Sequence, residues 1–203
     1  MKITYTSEDL INFEEEVAEL FNSGKIRAPV HLYSGNENQI IEIFKDVNEN
    51  DWIFCSWRSH YQALLKGVPR QKVLQNILEG KSIAQCFPDH KFFSSAIVGG
   101  IVPISLGVAQ SIKIKKEKSH VWCFIGDMTS EIGVTNSAIK YARNLDLPIT
   151  FVVEDNSVSV CSDTRGTWGI KELTWQGISE KYVRFYSYKS KYPHAGAGVR
   201  VQF

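Results

Sequence analysis

The sequence predicts an α/β fold of three layers with a mainly parallel sheet. Two short apolar runs, Val121–Ile125 and Ile149–Val153, are rich in β-branched and aromatic residues and read as buried strands. Between them Val134, Ala138, Tyr141, Ala142 and Leu145 recur at helical spacing behind Gly133. Strand, turn, helix, strand is a crossover unit, and it joins two parallel strands with a right-handed connection. Asp127 then lies just past the end of the first strand and Asn156 just past the end of the second. Open α/β sheets bind ligands at that edge.

The other elements follow in order. At 203 residues the chain can bury one good core, so one domain spanning 1–203 is expected. Ser7 is placed to cap a first helix with Leu10, Phe13, Val17, Leu20 and Phe21 on its apolar face, and Gly24 ends it. A second helix carries Ile40, Ile41, Ile43 and Phe44. Asp51-Trp52-Ile53-Phe54 reads as a short strand. Val73, Leu74, Ile77 and Leu78 mark an amphipathic helix closed by Gly80, and Lys81 to Ser95 has no clear period. The Gly-rich stretch from Ser95 to Pro103 enters a buried helix with Ile104, Leu106, Val108 and Ala109. Lys113 to Lys118 is a solvated connection, Ser157 to Gly177 is polar and weakly periodic, and Tyr182 to Tyr188 is a last strand.

Composition excludes several classes. The net charge is +1 without large asymmetry, which argues against nucleic acid or an anionic membrane as the main partner. The four cysteines, 55, 86, 123 and 161, show no metal-type or CxxC pairing, so reduced thiols and a cytoplasmic setting are expected. Glu8, Asp9, Glu14, Glu15 and Glu16 make the amino terminus unlike a signal peptide. The longest apolar run, Ala96 to Ala109, is interrupted by Gly99, Gly100, Pro103 and Gly107 and is too short to span a bilayer.

The residue types at the predicted ligand edge suggest their chemistry. A carboxylate, an amide oxygen and a nearby backbone carbonyl form a hard oxygen set that suits magnesium held jointly with phosphate. Free amides at the helix start after Met128 can face an anion. Taken singly, Asp127 also reads as a helix-start residue and Asn156 as a turn residue; the pair in this context favours a site. Arg58 suits a diphosphate through paired charge-assisted bonds, against the alternative of a surface ion pair. Trp57 offers an indole N–H and a flat apolar wall. His60 reads equally as an acid–base group or an orienting donor, and His31 more often as a satisfied core histidine.

Gly126, Asp127 and Asn156 resemble, in register, the thiamine diphosphate motif Gly-Asp-Gly followed a helix and a strand later by Asn; Met128 replaces its second Gly. The chain is most similar to the alpha subunit of the first component of 2-oxo acid dehydrogenases, the pyruvate dehydrogenase-like branch of the transketolase-like superfamily. Leu147-Pro148 before the second strand matches that family. So does His31-Leu32-Tyr33-Ser34-Gly35-Asn36-Glu37, with Asn36 for Gln, and so do Trp57-Arg58 and His60, with Trp for Tyr. The resemblance implies magnesium on Asp127, Asn156 and the Val158 backbone, and cofactor contacts from Trp57, Arg58, Gly126, Met128 and Thr129. It places Ile97, Val98 and Gly99 against the aminopyrimidine, with Val98 propping the bent cofactor. His60 and His194 are its candidate catalytic groups, the latter from a loose match of Tyr188-Lys189 and His194-Ala195-Gly196 to a family loop.

The match is best over 8–160. The family's Ser-Met-His loop corresponds to Ala84-Gln85-Cys86, so its histidine is absent, with His90 four residues on; the tail is short of a helix and a strand. The implied activity is decarboxylation of a 2-oxo acid with transfer of the resulting acyl or aldehyde unit. A transketolase-like carboligase acting on ketoses is the alternative, and a non-catalytic subunit is a third reading that Met128, Trp57 and the missing histidine favour. The implied partner is a beta-type chain supplying the pyrimidine-binding domain and a glutamate, in an α2β2 heterotetramer. Glu79, Glu131 and Glu154 belong to the pyrophosphate side.

Overall fold

The computed structural model describes residues 3–177 and 181–198. In chain order the elements are α1 (Ser7–Asn22), α2 (Glu37–Phe44), β1 (Trp52–Cys55), α3 (His60–Leu65), α4 (Arg70–Leu78), β2 (Cys86–Phe87), β3 (Phe92–Ser94), α5 (Ile101–Lys115), β4 (Val121–Gly126), α6 (Asp127–Ser130), α7 (Gly133–Asn144), β5 (Ile149–Asp155), β6 (Val158–Ser159), β7 (Ser162–Asp163), α8 (Thr164–Trp168) and β8 (Val183–Ser187). The main sheet runs β2-β3-β1-β4-β5-β8 and is parallel throughout except for the edge pair β2–β3. From β1 the sheet grows to β3 on one side and to β4 on the other. The switch point of the topology therefore lies between β1 and β4.

Side-chain alternation in β4 divides the core into two. Trp122 and Phe124 join Phe13, Ile40, Phe44, Tyr61 and Ile77 from α1 to α4 on one face. Val121, Cys123 and Ile125 join Ile101, Ala109, Ala138 and Ile139 from α5 and α7 on the other. Strands covered on both faces read as unbroken apolar runs, which is why β4 and β5 are legible in sequence. The predicted three-layer α/β architecture is the observed one. Among the described residues no helix is long and apolar enough to cross a membrane.

Several local expectations are corrected. Thr6 rather than Ser7 caps α1, in a reciprocal pairing with Asp9; the Ser7 hydroxyl bonds Asn38 instead. The buried face of α7 is Thr135, Ala138, Ile139 and Ala142, whereas Val134, Tyr141 and Leu145 are exposed. The rotation has a cause: the buried Thr135 hydroxyl bonds the Thr129 carbonyl at 2.7 Å, fixing the helix against the preceding turn. Ile104 is also exposed, because α5 buries Ile101, Val102, Ser105, Ala109 and Ile112. The aperiodic stretch before Ser95 holds β2 and β3, too short for a periodic pattern.

Candidate active site

The carboxyl ends of β1, β4 and β5 meet at the switch point. There Trp57 and Arg58 follow β1, Gly126 ends β4 with Asp127 to Thr129 after it, and Glu154 lies near the end of β5 with Asn156 just past it, all around one cavity. Val158, Tyr188 and His194 complete its wall. Sequence-predicted residues from four separate segments are thus brought together. Gly126 has an ordinary φ of −76° and open space where a Cβ would stand, so its lack of a side chain widens the cavity rather than relieving the backbone.

Asp127 is buried and its Oδ2 accepts from the Thr164 hydroxyl at 2.5 Å. Burial pushes its carboxyl up to about 6, against the pull of that hydrogen bond. Asn156 is half-buried, and its Oδ1 accepts from the Val158 N–H at 3.3 Å, tying two of the expected oxygen donors into one turn. The expected helix start after Met128 is a single turn, α6, separate from α7. The Met128 sulfur accepts from the Trp168 indole at 3.0 Å. Among the described residues no group of three or more His, Cys, Asp or Glu side chains could hold a metal ion. A cation held beside Asp127 would need oxygen donors other than these side chains, and the Asn156 amide and the Val158 backbone stand in the same cavity wall.

The Arg58 guanidinium bonds backbone carbonyls: Nε donates to Leu32 at 3.3 Å and one terminal nitrogen to His194 at 3.1 Å. The same His194 carbonyl accepts from His31 Nδ1, since a carbonyl cannot donate. Burial holds His31 down at about 4, so it is neutral. The Trp57 indole nitrogen is buried and has no partner among the described residues. An unpaired buried N–H costs about 1–3 kcal/mol, and this one belongs to a residue of the cavity wall.

Glu154, named from the sequence as a pyrophosphate-side residue but given no role there, lines the cavity. Its carboxylate accepts from Tyr33 at 2.7 Å and from Tyr186, and Gln62 approaches at 3.4 Å. The same Tyr33 hydroxyl, whose one hydrogen points to Glu154 at the shorter distance, also lies 3.1 Å from the Arg58 carbonyl. Burial raises Glu154 to about 7, with both tyrosine bonds opposing. The signal for it was its place in the penultimate position of β5, but its neighbours come from α3, β8 and the segment before α2. A raised folded pKa means stability that is present below the unfolded value and lost as pH rises through about 7. Glu154→Gln is therefore expected to flatten the ligand-free chain's stability between about pH 4.5 and pH 7. Urea titrations at several pH values check this; an unchanged profile would show that Glu154 does not titrate in that window.

Two groups of expected site residues lie elsewhere. His60 is fully buried; its Nδ1 meets Glu14 at 3.0 Å and its Nε2 meets Ser82 at 2.9 Å. Both nitrogens are occupied inside the α1–α3 layer, so its assignment as a catalytic group is corrected to a structural one. Ile97 and Val98 are exposed and outside the cavity. Gly99 is buried at φ +72°, where a Cβ would stand 2.6 Å from Ile132. The loop therefore packs beside the turn that carries Asp127 rather than into the cavity.

Known proteins place this arrangement in a family. The model described as dehydrogenase E1 component matches residues 5–179. Pyruvate dehydrogenase E1 component subunit alpha of Porphyra purpurea is 31% identical over 179 residues, covering 78% of this chain and 52% of that one. The chloroplastic pyruvate dehydrogenase E1 component subunit alpha-3 of Arabidopsis thaliana is 30% identical over 168 residues, 73% of this chain and 39% of its own. The alpha subunit of acetoin:2,6-dichlorophenolindophenol oxidoreductase of Bacillus subtilis is 28% identical over 159 residues, 73% and 47% respectively. The chain thus spans about half the length of these relatives or less. With the matched model covering most of its residues, the chain belongs to the dehydrogenase E1 component family.

Proposed function

We propose that this chain is the alpha-type, pyrophosphate-binding part of a thiamine diphosphate-dependent enzyme that decarboxylates a 2-oxo acid and passes on the remaining acyl or aldehyde unit. The observation that carries this reading is the convergence of Asp127, Asn156, Val158, Arg58 and Trp57 on one cavity at the switch point. The donor set fits the cofactor's head group. Asp127, Asn156 and the Val158 backbone carbonyl would hold magnesium, Arg58 would hold phosphate oxygens, and the unpartnered Trp57 indole would donate to one of them. Thiamine diphosphate supplies the electron sink when bound; the chain supplies orientation and charge. Pyruvate, a 2-oxo acid, appears in the names of relatives and represents the substrate class; acetoin, in the name of another, is a hydroxyketone without a carboxyl group.

A beta-type chain completes the site in this reading, supplying the pyrimidine-binding domain and its glutamate. Symmetric pairing would give α2β2. Two features support a partner on this side. Ile97, Val98, Ile104, Val134 and Tyr141 are exposed. Gly99, in the loop with Ile97 and Val98, lies within 3.3 Å of Val134 when a Cβ is placed on it, so part of this apolar surface is continuous. The four free cysteines, with Cys55 and Cys123 buried in strands, support a reducing, cytoplasmic setting. Co-expression with a beta-type chain should give a copurifying complex that decarboxylates 2-oxo acids with added magnesium and cofactor, while the chain alone self-associates and is inactive. Full activity of the isolated chain would overturn the split-site reading.

One observation favours the non-catalytic alternative. The room in which a water centre can sit among the site residues is only about 30 Å³. Calorimetric titration of the complex with thiamine diphosphate and magnesium separates the two: no binding heat at millimolar ligand supports the non-catalytic subunit.

A further inference from the structure

We infer that the groove between α7 and the segment leading into β8 is a second binding site, apart from the catalytic cavity, for a mononucleotide: a planar ring joined to a phosphate. The groove follows from the path of the chain. β5 and β8 are parallel neighbours, and such a pair needs a crossover, usually a helix laid along the sheet. Here α8 has five residues and is tied by Thr164 to Asp127, at the carboxyl edge of the sheet. The leg after it packs Ile170, Leu173 and Trp175 on the α5–α7 side of the core without forming a helix over 170–177. The flank of α7 stays open beside that leg. Water centres have about 710 Å³ in the groove, the size of small-molecule sites. It shares no described lining residue with the catalytic cavity.

One wall is rich in donors. Ser137, Lys140, Arg143 and Asn144 lie along one face of α7. Among the described residues no hydrogen bond or ion pair engages the Lys140 ammonium or the Arg143 guanidinium. Three residues apart on a helix, they are neighbours of like charge, and an anion between them relieves the repulsion. Arg143 also suits the negative end of the helix dipole, but Lys140 stands before the last turn, where that effect has faded. Little opposes an anion here. No acid lines the groove among the described residues, and Asp146 beside it is taken by Lys181 and by the Tyr182 hydroxyl at 2.6 Å. The Tyr141, Ala142 and Arg143 carbonyls that end α7 already accept from Leu145, Leu147 and Asp146.

The other wall is aromatic. Trp175 and Tyr182 line it and pack on the core behind them. The Trp175 indole nitrogen is buried and unpartnered among the described residues, so no hydrogen bond fixes that ring. Such rings stack on planar ligands, while a guanidinium and an ammonium match phosphate oxygens. A free phosphate would use one wall and an uncharged ring the other. A ligand that joins the two uses both.

The test titrates the full chain calorimetrically with adenosine monophosphate, adenosine and inorganic phosphate, in the absence of magnesium and thiamine diphosphate. The nucleotide should bind saturably and about tenfold or more tighter than either half. Lys140→Ala combined with Arg143→Ala should weaken it about tenfold or more, and both side chains are exposed, so the variant keeps the fold. Trp175→Leu should weaken it through the other wall. Arg58→Ala, in the catalytic cavity, should leave it unchanged. No saturable heat at millimolar nucleotide, or unchanged affinity in the folded double variant, overturns the site. Equal affinity for the nucleotide and either half overturns the nucleotide assignment. Loss in Arg58→Ala but not in the double variant puts the nucleotide in the catalytic cavity and overturns the groove. The cofactor reading rests on other residues and survives each of these failures.

Discussion

Asp127→Ala is expected to weaken magnesium-dependent binding of thiamine diphosphate at least tenfold, more than about 1.4 kcal/mol. Asp127 is the charged member of the proposed oxygen set; Asn156 and the Val158 carbonyl are neutral, and no cluster of three metal-type side chains substitutes for it among the described residues. Its environment separates this role from a structural one. Burial raises the carboxyl to about 6, so the stability its neutral form confers is lost as pH rises through that value. A carboxylate that costs the ligand-free fold stability at neutral pH is better explained by a ligand than by the fold. Asp127→Asn, which keeps the shape, should therefore leave the ligand-free chain at least as stable as wild type at pH 8 while binding is weakened. Calorimetric titration and urea unfolding measure the two. Unchanged affinity in a folded variant would end the magnesium assignment.

His60→Ala is expected to destabilise the chain by about 3–5 kcal/mol, a large share of the stability of an ordinary domain. The histidine is the buried partner of Glu14, which also accepts from the Tyr33 N–H at 3.1 Å. Removing it leaves a buried carboxylate short of a partner, strands the Ser82 hydroxyl, and opens a hole beside Phe13, whose ring lies 6.1 Å away. His60→Gln can still donate to Glu14 and should recover part of the loss. Denaturant unfolding of both variants gives the comparison. Wild-type stability together with lost turnover would restore His60 as a catalytic group reached through a rearranged structure.

The contrast between Asp127 and His60 shows where local sequence information ends. Both lie in the segments that follow strands, both are titratable, and both fall in register with a family motif. One reaches the cavity and the other turns into the α1–α3 layer, because α3 begins at His60 and carries it under α1. Similarly, Trp57, Arg58, Gly126, Met128, Thr129, Asn156, Val158 and His194 line the cavity as the motifs suggested, whereas Ile97 and Val98 do not. Glu154 was placed on the pyrophosphate side but its hydrogen-bonded role was not foreseen, because its neighbours Tyr33, Gln62 and Tyr186 are scattered through the chain.

By itself the sequence determined the α/β class, the β4–α7–β5 crossover, the last strand and the edge at which a ligand would sit. Each is written within a few consecutive residues, as an apolar run buried on both faces, a helical period or a strand-end carboxylate. Only the tertiary structure decided which face α7 buries, that His60 is enclosed, that Glu154 is held as a raised acid, and that Thr164 caps Asp127. Those outcomes turn on hydrogen bonds and burial between residues far apart in the chain. A polar side chain's partner and its exposure are set when distant segments pack, and no local period records them.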